Sequence, residues 1–513
     1  MNKARWIKRL RKFHKWPGII ISAFVILFAL SGIIMNHRGT VSSIDVSRKI
    51  LPSNYEYSNW NQAAIKGSLN INGDSALMYG NIGIWKTNDK YKTFIDFNQG
   101  FPNGIDNRKI NALIKFQETS IVAGTHFGLY KRGNSENLWI ELEIPVKNKR
   151  ITDLTIKDDT LIILTRHYLL KSTDLLNFQK IQLPEPVNYQ RKAGLFNTFW
   201  ELHSGKLFGL IGKLIVDIFG IVVILLSVTG LLHFFFPKII RRRKRKEKLV
   251  ASLVSTKRKN LRWHNVVGYV FVLFLVINTF SGMHLRPPLL IAIANKQVGI
   301  IPFTNLDTPN PWHDKLRRVD WNENLKKYIF STSDGFYFSD ESLLNTLQPF
   351  PVQPPVSVMG CNVLKTDSNG NYIVGSFSGM YIWNFEKAII DEYFTKVPYQ
   401  KPEGMEMPIS NTMVAGYIEK NGGEEVWFDF NRGVLSMTPF DRASFPEMPE
   451  EIIKESPMSL WNFALEVHTG RIFEKFIGSF YILYVPLAGI CILLVLISGF
   501  FIWWLGYKKK RKE

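Results

Sequence analysis

Seven of the ten histidines stand at or near the ends of four long apolar segments, and those segments repeat in pairs. The first reads RKFHKWPGIIISAFVILFALSGIIMNHR from Arg11 to Arg38, the third RWHNVVGYVFVLFLVINTFSGMHLR from Arg262 to Arg286. Aligned without a gap, His14 and Gly18 fall on His264 and Gly268, and Ser31-Gly32 falls on Ser281-Gly282. The second and fourth open with ELHSGKLF (Glu201 to Phe208) and EVHTGRIF (Glu466 to Phe473), then run to Thr229-Gly230 and Ser498-Gly499. Imidazoles placed symmetrically at helix ends can ligate a flat cofactor held between helices, and bis-histidine b-type haem is the chemistry they fit best.

The elements that must carry them are membrane helices. Each apolar segment has about 20 residues or more, enough to cross roughly 30 Å of hydrocarbon. The formal charge of +21 gathers at Lys3 to Lys15, Lys238 to Arg262 and Lys508 to Lys512. With four alternating spans these clusters share one side, the positive-inside pattern. Their partner is then membrane lipid, the anionic leaflet, and not nucleic acid. The first segment is too long for a signal-peptide core and lacks a small-residue cleavage site, so a retained helix is expected. Cys361 and Cys491 are the only cysteines, which excludes a disulfide framework or a thiolate metal cluster.

The fold class expected is a four-helix transmembrane bundle with internal duplication, plus an all-β, propeller-like periplasmic domain built from two outer loops. Residues 1–36 form the cytoplasmic basic N-terminus and first helix, and 37–202 the first periplasmic β region. Helix two spans 203–236, the cytoplasmic basic loop 237–262 and helix three 263–284. The second periplasmic β region is 285–467, helix four 468–507 and the cytoplasmic tail 508–513. The β assignment rests on short β-branched and aromatic runs between Asn, Asp, Gly and Lys turns. IVAGTHFGLY (Ile121 to Tyr130) recurs as YIVGSFSGMY (Tyr372 to Tyr381). Weaker copies lie at Leu77 to Trp85, Ile329 to Ser339 and Val426 to Ser436, with a glycine-free sixth from Leu161. Six copies, three in each loop, predict six blades; two separate β domains are the alternative.

This topology puts His14, His233 and His264 near the cytoplasmic face and His37, His203, His284 and His468 near the outer face. A pseudo-twofold bundle pairs equivalent residues across its axis. His14 then faces His264 and His203 faces His468, each pair supplying two axial nitrogens to haem iron, two haems in all. His37 and His284, offset by three residues, are expected to bind a second outer haem, exchange with the first pair or contact propionates. His233 has Ile502 at its matching position and is a reserve inner ligand. Arg38, Lys206, Arg286 and Arg471 suit either propionates or lipid phosphates. Lys213 and Asp217, one turn apart, form a local ion pair or a proton path. Zinc or copper would also accept imidazole, but no carboxylate or thiolate partner accompanies the pairs. Without a C-x-x-C-H sequence covalent haem is excluded. The blander reading makes the seven helix-end histidines interfacial anchors or caps, while His126, His167 and His313 are expected to be ordinary surface or turn residues.

The two H-x-x-x-G…[ST]-G spans and the two H-[ST]-G-[KR]-[LI]-F segments resemble the PepSY-associated transmembrane family, which includes iron-regulated membrane proteins and ferric-siderophore reductases. The resemblance covers the four helices, about a third of the chain, and implies His14, His203, His264 and His468 as haem ligands. It also implies single-electron transfer across the bacterial inner membrane to a periplasmic ferric chelate such as a ferric siderophore, an oxidoreductase role. No helix-plus-sheet PepSY module is evident in the outer loops. No G-x-G-x-x-G follows a strand, so the electron donor, quinol or a reductase, is external. The alternatives are a non-enzymatic membrane receptor or assembly factor whose β domain binds a ligand or partner protein, and a protein that handles haem or metal reversibly.

Overall fold

The computed structural model describes residues 3–506 except 73–74, 89–90, 135, 357–358, 402–409, 421–423 and 436–444. The basic tail Lys508 to Lys512 and the last residue of the Val426 to Ser436 repeat lie outside the described residues. The chain divides into two units: residues 1–41, 191–307 and 460–513, and residues 42–190 and 308–459.

The first unit is helical apart from one antiparallel pairing of Lys192–Gly194 with Gln297–Gly299. Its elements are α1 (Lys3–Asn36), α2 (Leu195–Ser204), α3 (Gly209–Arg245) and α4 (Ala251–Met283). After α5 (Glu450–Lys454), a short helix of the other unit, come α6 (Leu460–Thr469), α7 (Glu474–Ile477) and α8 (Tyr484–Gly506). Four helical stretches, Ala4–Asn36, Lys206–Arg245, Ala251–Met283 and Arg471–Gly506, are long and apolar enough to cross a membrane. Large apolar side chains such as Ile20, Leu27, Ile218 and Phe274 remain exposed along them. Helices that keep apolar side chains outward have hydrocarbon, not water, as their solvent.

Three boundaries differ from the sequence expectation. The basic segment 237–262, read as a loop, is helical except at 246–250, because it contains good helix formers and no glycine. The fourth span is broken, with 3-10 turns at Arg471–Phe473 and Gly478–Leu483 before α8. The ranges read as β also end in two helices, α2 and α6, whose LFNTFWELHS and LWNFALEVHT sequences repeat the apolar helical spacing.

The second unit is a set of small antiparallel sheets. The first sheet comprises Gly67–Asn72, Ser75–Gly80, Gly83–Asn88 and Phe94–Asp96. The second comprises Ile110–Phe116, Ser120–Thr125, Leu129–Gly133 and Ile140–Leu142. The third runs from Ile151–Lys157 to Gln179–Ile181, the fourth from Leu316–Asn322 to Gln348–Pro349 and the fifth from Val363–Thr366 to Ile389–Glu392, four strands each. The sixth has three described strands, Val414–Glu419, Glu425–Asp429 and Gly433–Leu435. Every one of the six sequence repeats forms the hairpin between the second and third strands of one sheet. Gly83, Gly335, Gly379 and Gly433 have positive φ at those turns, which accounts for the repeated glycine.

The buried residues between sheets are what hold this unit together. Leu77 and Ile84 of the first sheet pack with Ile121 and Tyr130 of the second. Val122 and Leu129 meet Leu154 and Ile163 of the third, whose Ile162 and Leu169 meet Val319 and Phe330 of the fourth. Ile329 and Phe336 pack with Val374 and Trp383 of the fifth, whose Ile373 and Met380 pack with Tyr417 and Trp427 of the sixth. Ile418 and Phe428 of the sixth share a cluster with Met78 and Trp85 of the first. Each sheet buries both faces against neighbours, as a sheet of four short strands must to be stable.

Candidate functional site

The duplicated H-[ST]-G element has a local structural cause. His203 lies in the last turn of α2 and His468 in the last turn of α6. The glycines that follow, Gly205 and Gly470, take left-handed φ values of 76° and 75° and end those helices. At that turn the chain swings into the membrane-spanning stretch and leaves the imidazole beside the bundle. His14 and His264 instead sit within the long helices α1 and α4, towards their basic ends.

Two pairs of imidazoles meet. The rings of His14 and His264 have centroids 6.0 Å apart, and those of His203 and His468 6.1 Å apart. Each ring is seated by another helix. His14 Nδ1 bonds the carbonyl of Val495 at 2.9 Å, and His203 Nδ1 that of Asn278 at 2.9 Å. His468 Nδ1 bonds the carbonyl of Phe28 at 3.1 Å and the hydroxyl of Ser31 at 3.0 Å. His264 Nδ1 bonds the hydroxyl of Thr229 at 2.9 Å, and that hydroxyl donates to the carbonyl of Leu225. A carbonyl only accepts, so Nδ1 of the first three carries the proton; a Thr229 hydroxyl that donates to a carbonyl accepts from His264 likewise. Nε2 is the ring nitrogen then left as an electron-pair donor.

The four small-residue pairs noted in the sequence are the seats for these rings. A Cβ built on Gly282 would overlap His203, and one on Gly499 would lie 2.8 Å from Cε1 of His14. Gly32 and Gly230 face Cε1 of His468 and His264 at 3.4 and 3.5 Å from such an atom. Val495, Asn278 and Phe28 each stand four residues before the glycine of their seat, so one helical turn supplies both the notch and the acceptor. The seating is reciprocal: α1 seats His468 while α8 seats His14, and α4 seats His203 while α3 seats His264.

The centroid spacing of each pair matches that of two imidazoles sharing one metal ion. Two nitrogens, each about 2 Å from a shared metal, place ring centroids roughly 6 Å apart. A cavity of about 590 Å³ at the basic end is lined by His14 and His264 together with Gly18, Gly268, Tyr269 and Trp503, a volume in the cofactor range. His233 also lines it, and its buried Nδ1 forms no hydrogen bond among the described residues. Groups of three or more His, Cys, Asp or Glu that could hold an isolated metal ion are absent among the described residues.

The other residues expected at the site are used differently. His37 Nε2 bonds Asp217 Oδ2 at 2.6 Å, and Asn36 donates to Oδ1 of the same carboxylate at 3.2 Å. Lys213 turns instead to the carbonyl of Asn36 at 3.2 Å, so the expected Lys213–Asp217 pair gives way to a bond with His37. His284 Nδ1 bonds the carbonyl of Phe280 within its own helix at 2.8 Å, and its ring packs on Phe199 and Phe280. The structure does not bring His37 and His284 together. Of the cations, Arg471 pairs with Glu466, Lys206 with Glu201 at 3.3 Å, and Arg38 lies 3.9 Å over the Trp461 ring. His167 and His313 pack with centroids 4.4 Å apart in the β unit.

Sequence reasoning passed over three residues. Glu201 and Glu466 stand two residues before the far-end histidines and are only 1% and 5% exposed. Asn278 accepts from His203 through its carbonyl and returns a bond from Nδ2 to the His203 carbonyl at 2.9 Å. The signal was present in both cases: a repeated acid in ELH and EVH, and a lone amide inside an apolar span.

A family model described as the PepSY-associated TM region matches the chain twice, over residues 1–236 and 238–506. No curated protein matches. Among solved structures, the extracellular domain of the two-component system BT4673 from B. thetaiotaomicron aligns at 9% identity with a TM-score of 0.36, over 72% of this chain and 32% of that one. That of BT3049 from the same organism aligns at 9% identity and a TM-score of 0.34, over 74% and 40%. The chain thus spans well under half the length of these proteins. The designed protein Ika8 aligns at 9% identity with a TM-score of 0.27, over 73% of each chain.

Proposed function

Since this chain belongs to the PepSY-associated transmembrane family, we propose that it is a two-haem electron conduit of the bacterial inner membrane, passing single electrons to a periplasmic ferric chelate. One observation carries the reading. Four imidazoles, two at each end of the bundle, are seated by the same device and meet in two pairs 6.0 and 6.1 Å apart. Anchors or caps would need neither the pairing nor the notches.

His14 with His264, and His203 with His468, would hold iron through Nε2. Bound there, b-type haem supplies reversible one-electron chemistry. The chain's own work is positional. Bonds at Nδ1 fix the tautomer and ring plane and raise the donor strength of Nε2. Helices α1 and α4 set the spacing of the layers: 18 residues separate His14 from Gly32, and His264 from Gly282, about 27 Å at 1.5 Å per residue. The donor is external, quinol or a reductase, meeting the basic, cytoplasmic end. The six sheets are read as blades of one periplasmic propeller, supported by the shared cores between successive sheets and between the sixth and first.

The test is a reduced-minus-oxidised visible spectrum of the detergent-purified full chain, with pyridine haemochrome quantification. Two b-type haems per chain are expected. The reduced protein should reoxidise on adding a ferric siderophore. Protein from haem-replete cells that is colourless, and stays so after haem is added, would refute the conduit.

A further inference from the structure

We propose that the basic ends of α3 and α4 form a binding site for the headgroup of an anionic phospholipid. Between Lys238 and Arg262 the chain carries twelve lysines and arginines against one acid, Glu247. Instead of looping away, these residues continue the two membrane helices, leaving only 246–250 as the turn. A groove of about 610 Å³ lies between them. Its lining combines apolar Pro237, Ile240 and Val254 with cationic Arg241, Lys244, Arg245 and Lys257.

The spacing makes this one surface. Arg241, Lys244 and Arg245 stand at i, i+3 and i+4 on a single face of α3, and Val254 and Lys257 are one turn apart on α4. A lining of mixed apolar and cationic side chains recognises an amphiphile, with phosphate oxygens against guanidinium and ammonium groups and glycerol or acyl carbons against the apolar ones. Because both helices run on from apolar membrane segments, the groove stands where phospholipid headgroups are. A soluble anion would use the cations and leave the apolar residues bare. An acidic protein would favour the exposed tips and not a cleft between helices.

The experiment compares lipids retained by the purified full chain, counted by native mass spectrometry after exchange into detergent from phosphatidylcholine membranes containing equimolar phosphatidylglycerol. The wild type should retain phosphatidylglycerol at least tenfold over phosphatidylcholine. The variant Arg241→Gln, Lys244→Gln, Arg245→Gln, Lys257→Gln should lose that preference. A control of equal charge change outside the groove lining, Arg242→Gln, Arg243→Gln, Lys246→Gln, Lys248→Gln, should keep it. Glutamine preserves helix propensity, and Arg241→Gln alone should give a partial loss if the full variant does not fold. Equal retention of both lipids by the wild type would overturn the proposal. So would an equal loss in the control, or displacement of the lipid by millimolar inorganic phosphate.

Discussion

Gly282 and His203 are complementary: the hydrogen at Gly282 occupies the place where any β-carbon would overlap the imidazole. The four seats are graded in tightness. Gly499 comes next, its added atom 2.8 Å from His14, while Gly32 and Gly230 leave 3.4 and 3.5 Å. Gly282→Ala and Gly499→Ala should therefore each displace a ring and remove one of the two proposed haems by pyridine haemochrome assay. Gly230→Ala should retain both. Gly220→Ala, whose added atom would lie 3.1 Å from Ile33 and outside the cavity lining, is the control for general loss of packing.

Ligand identity separates the histidines into two classes. His14→Ala or His264→Ala should abolish the haem at the basic end, and His203→Ala or His468→Ala the haem at the far end. His37→Ala and His284→Ala should leave both haems, because one ring is bonded to Asp217 and the other to its own helix. Spectra of the six single variants decide this. Loss of a haem in His284→Ala would mean a third site or a different pairing.

The buried acids predict a stability effect at the far end. Arg471 bonds Glu466 through two nitrogens, and Lys206 lies 3.3 Å from Glu201. Arg471→Met removes a charge partner from a carboxylate only 5% exposed, and should destabilise by about 1–3 kcal/mol. Lys206→Met should cost less, about 1 kcal/mol, because its longer contact gains less. Thermal unfolding midpoints of the two variants should fall in that order. Adding Glu466→Gln to Arg471→Met should recover most of the loss.

In the β unit a single carboxyl predicts a pH dependence. Burial pushes Asp320 up to about 6, opposed by the bond from the Tyr372 hydroxyl, with Asp153 raising it further and Arg318 lowering it. The folded protein therefore holds this proton more tightly than the unfolded chain. The stabilisation is complete below about pH 4 and is lost as pH rises through 6. Asp320→Asn keeps an acceptor for Tyr372 and should flatten that slope. At pH 7.5 it should stabilise the unit by about 1–3 kcal/mol. Urea unfolding followed by tryptophan fluorescence between pH 4.5 and 7.5 reads both effects. A parallel slope in wild type and variant would assign the dependence elsewhere.

Much of this architecture is legible in the residues themselves. Long apolar runs with basic flanks have few foldable alternatives, so the four spans follow from composition and length. The β repeats were readable because five of the six carry a turn glycine between two short β-branched or aromatic runs, and all six form equivalent hairpins. The function of the Ser31-Gly32 and Ser281-Gly282 pairs was not readable, because each serves a ring far away in sequence. The bond between His37 and Asp217 was hidden for the same reason: Lys213 is the neighbour along the helix, but α1 brings a better-placed partner across the gap. Helices α2 and α6 were missed at their starts, although LFN at Leu195 and LWN at Leu460 extend the duplicated motif upstream.

The reciprocal seating makes each half of the chain incomplete by itself. Residues 1–236 supply His14 and His203 but rest them on Val495 and Asn278, and offer Gly32 and Gly230 to His468 and His264. Every imidazole pair likewise draws one ring from each half. A protein of half this length could close its ring pairs only by associating with a second copy of itself. Carrying both halves in one chain makes that association intramolecular, so closure of the ring pairs does not depend on protein concentration.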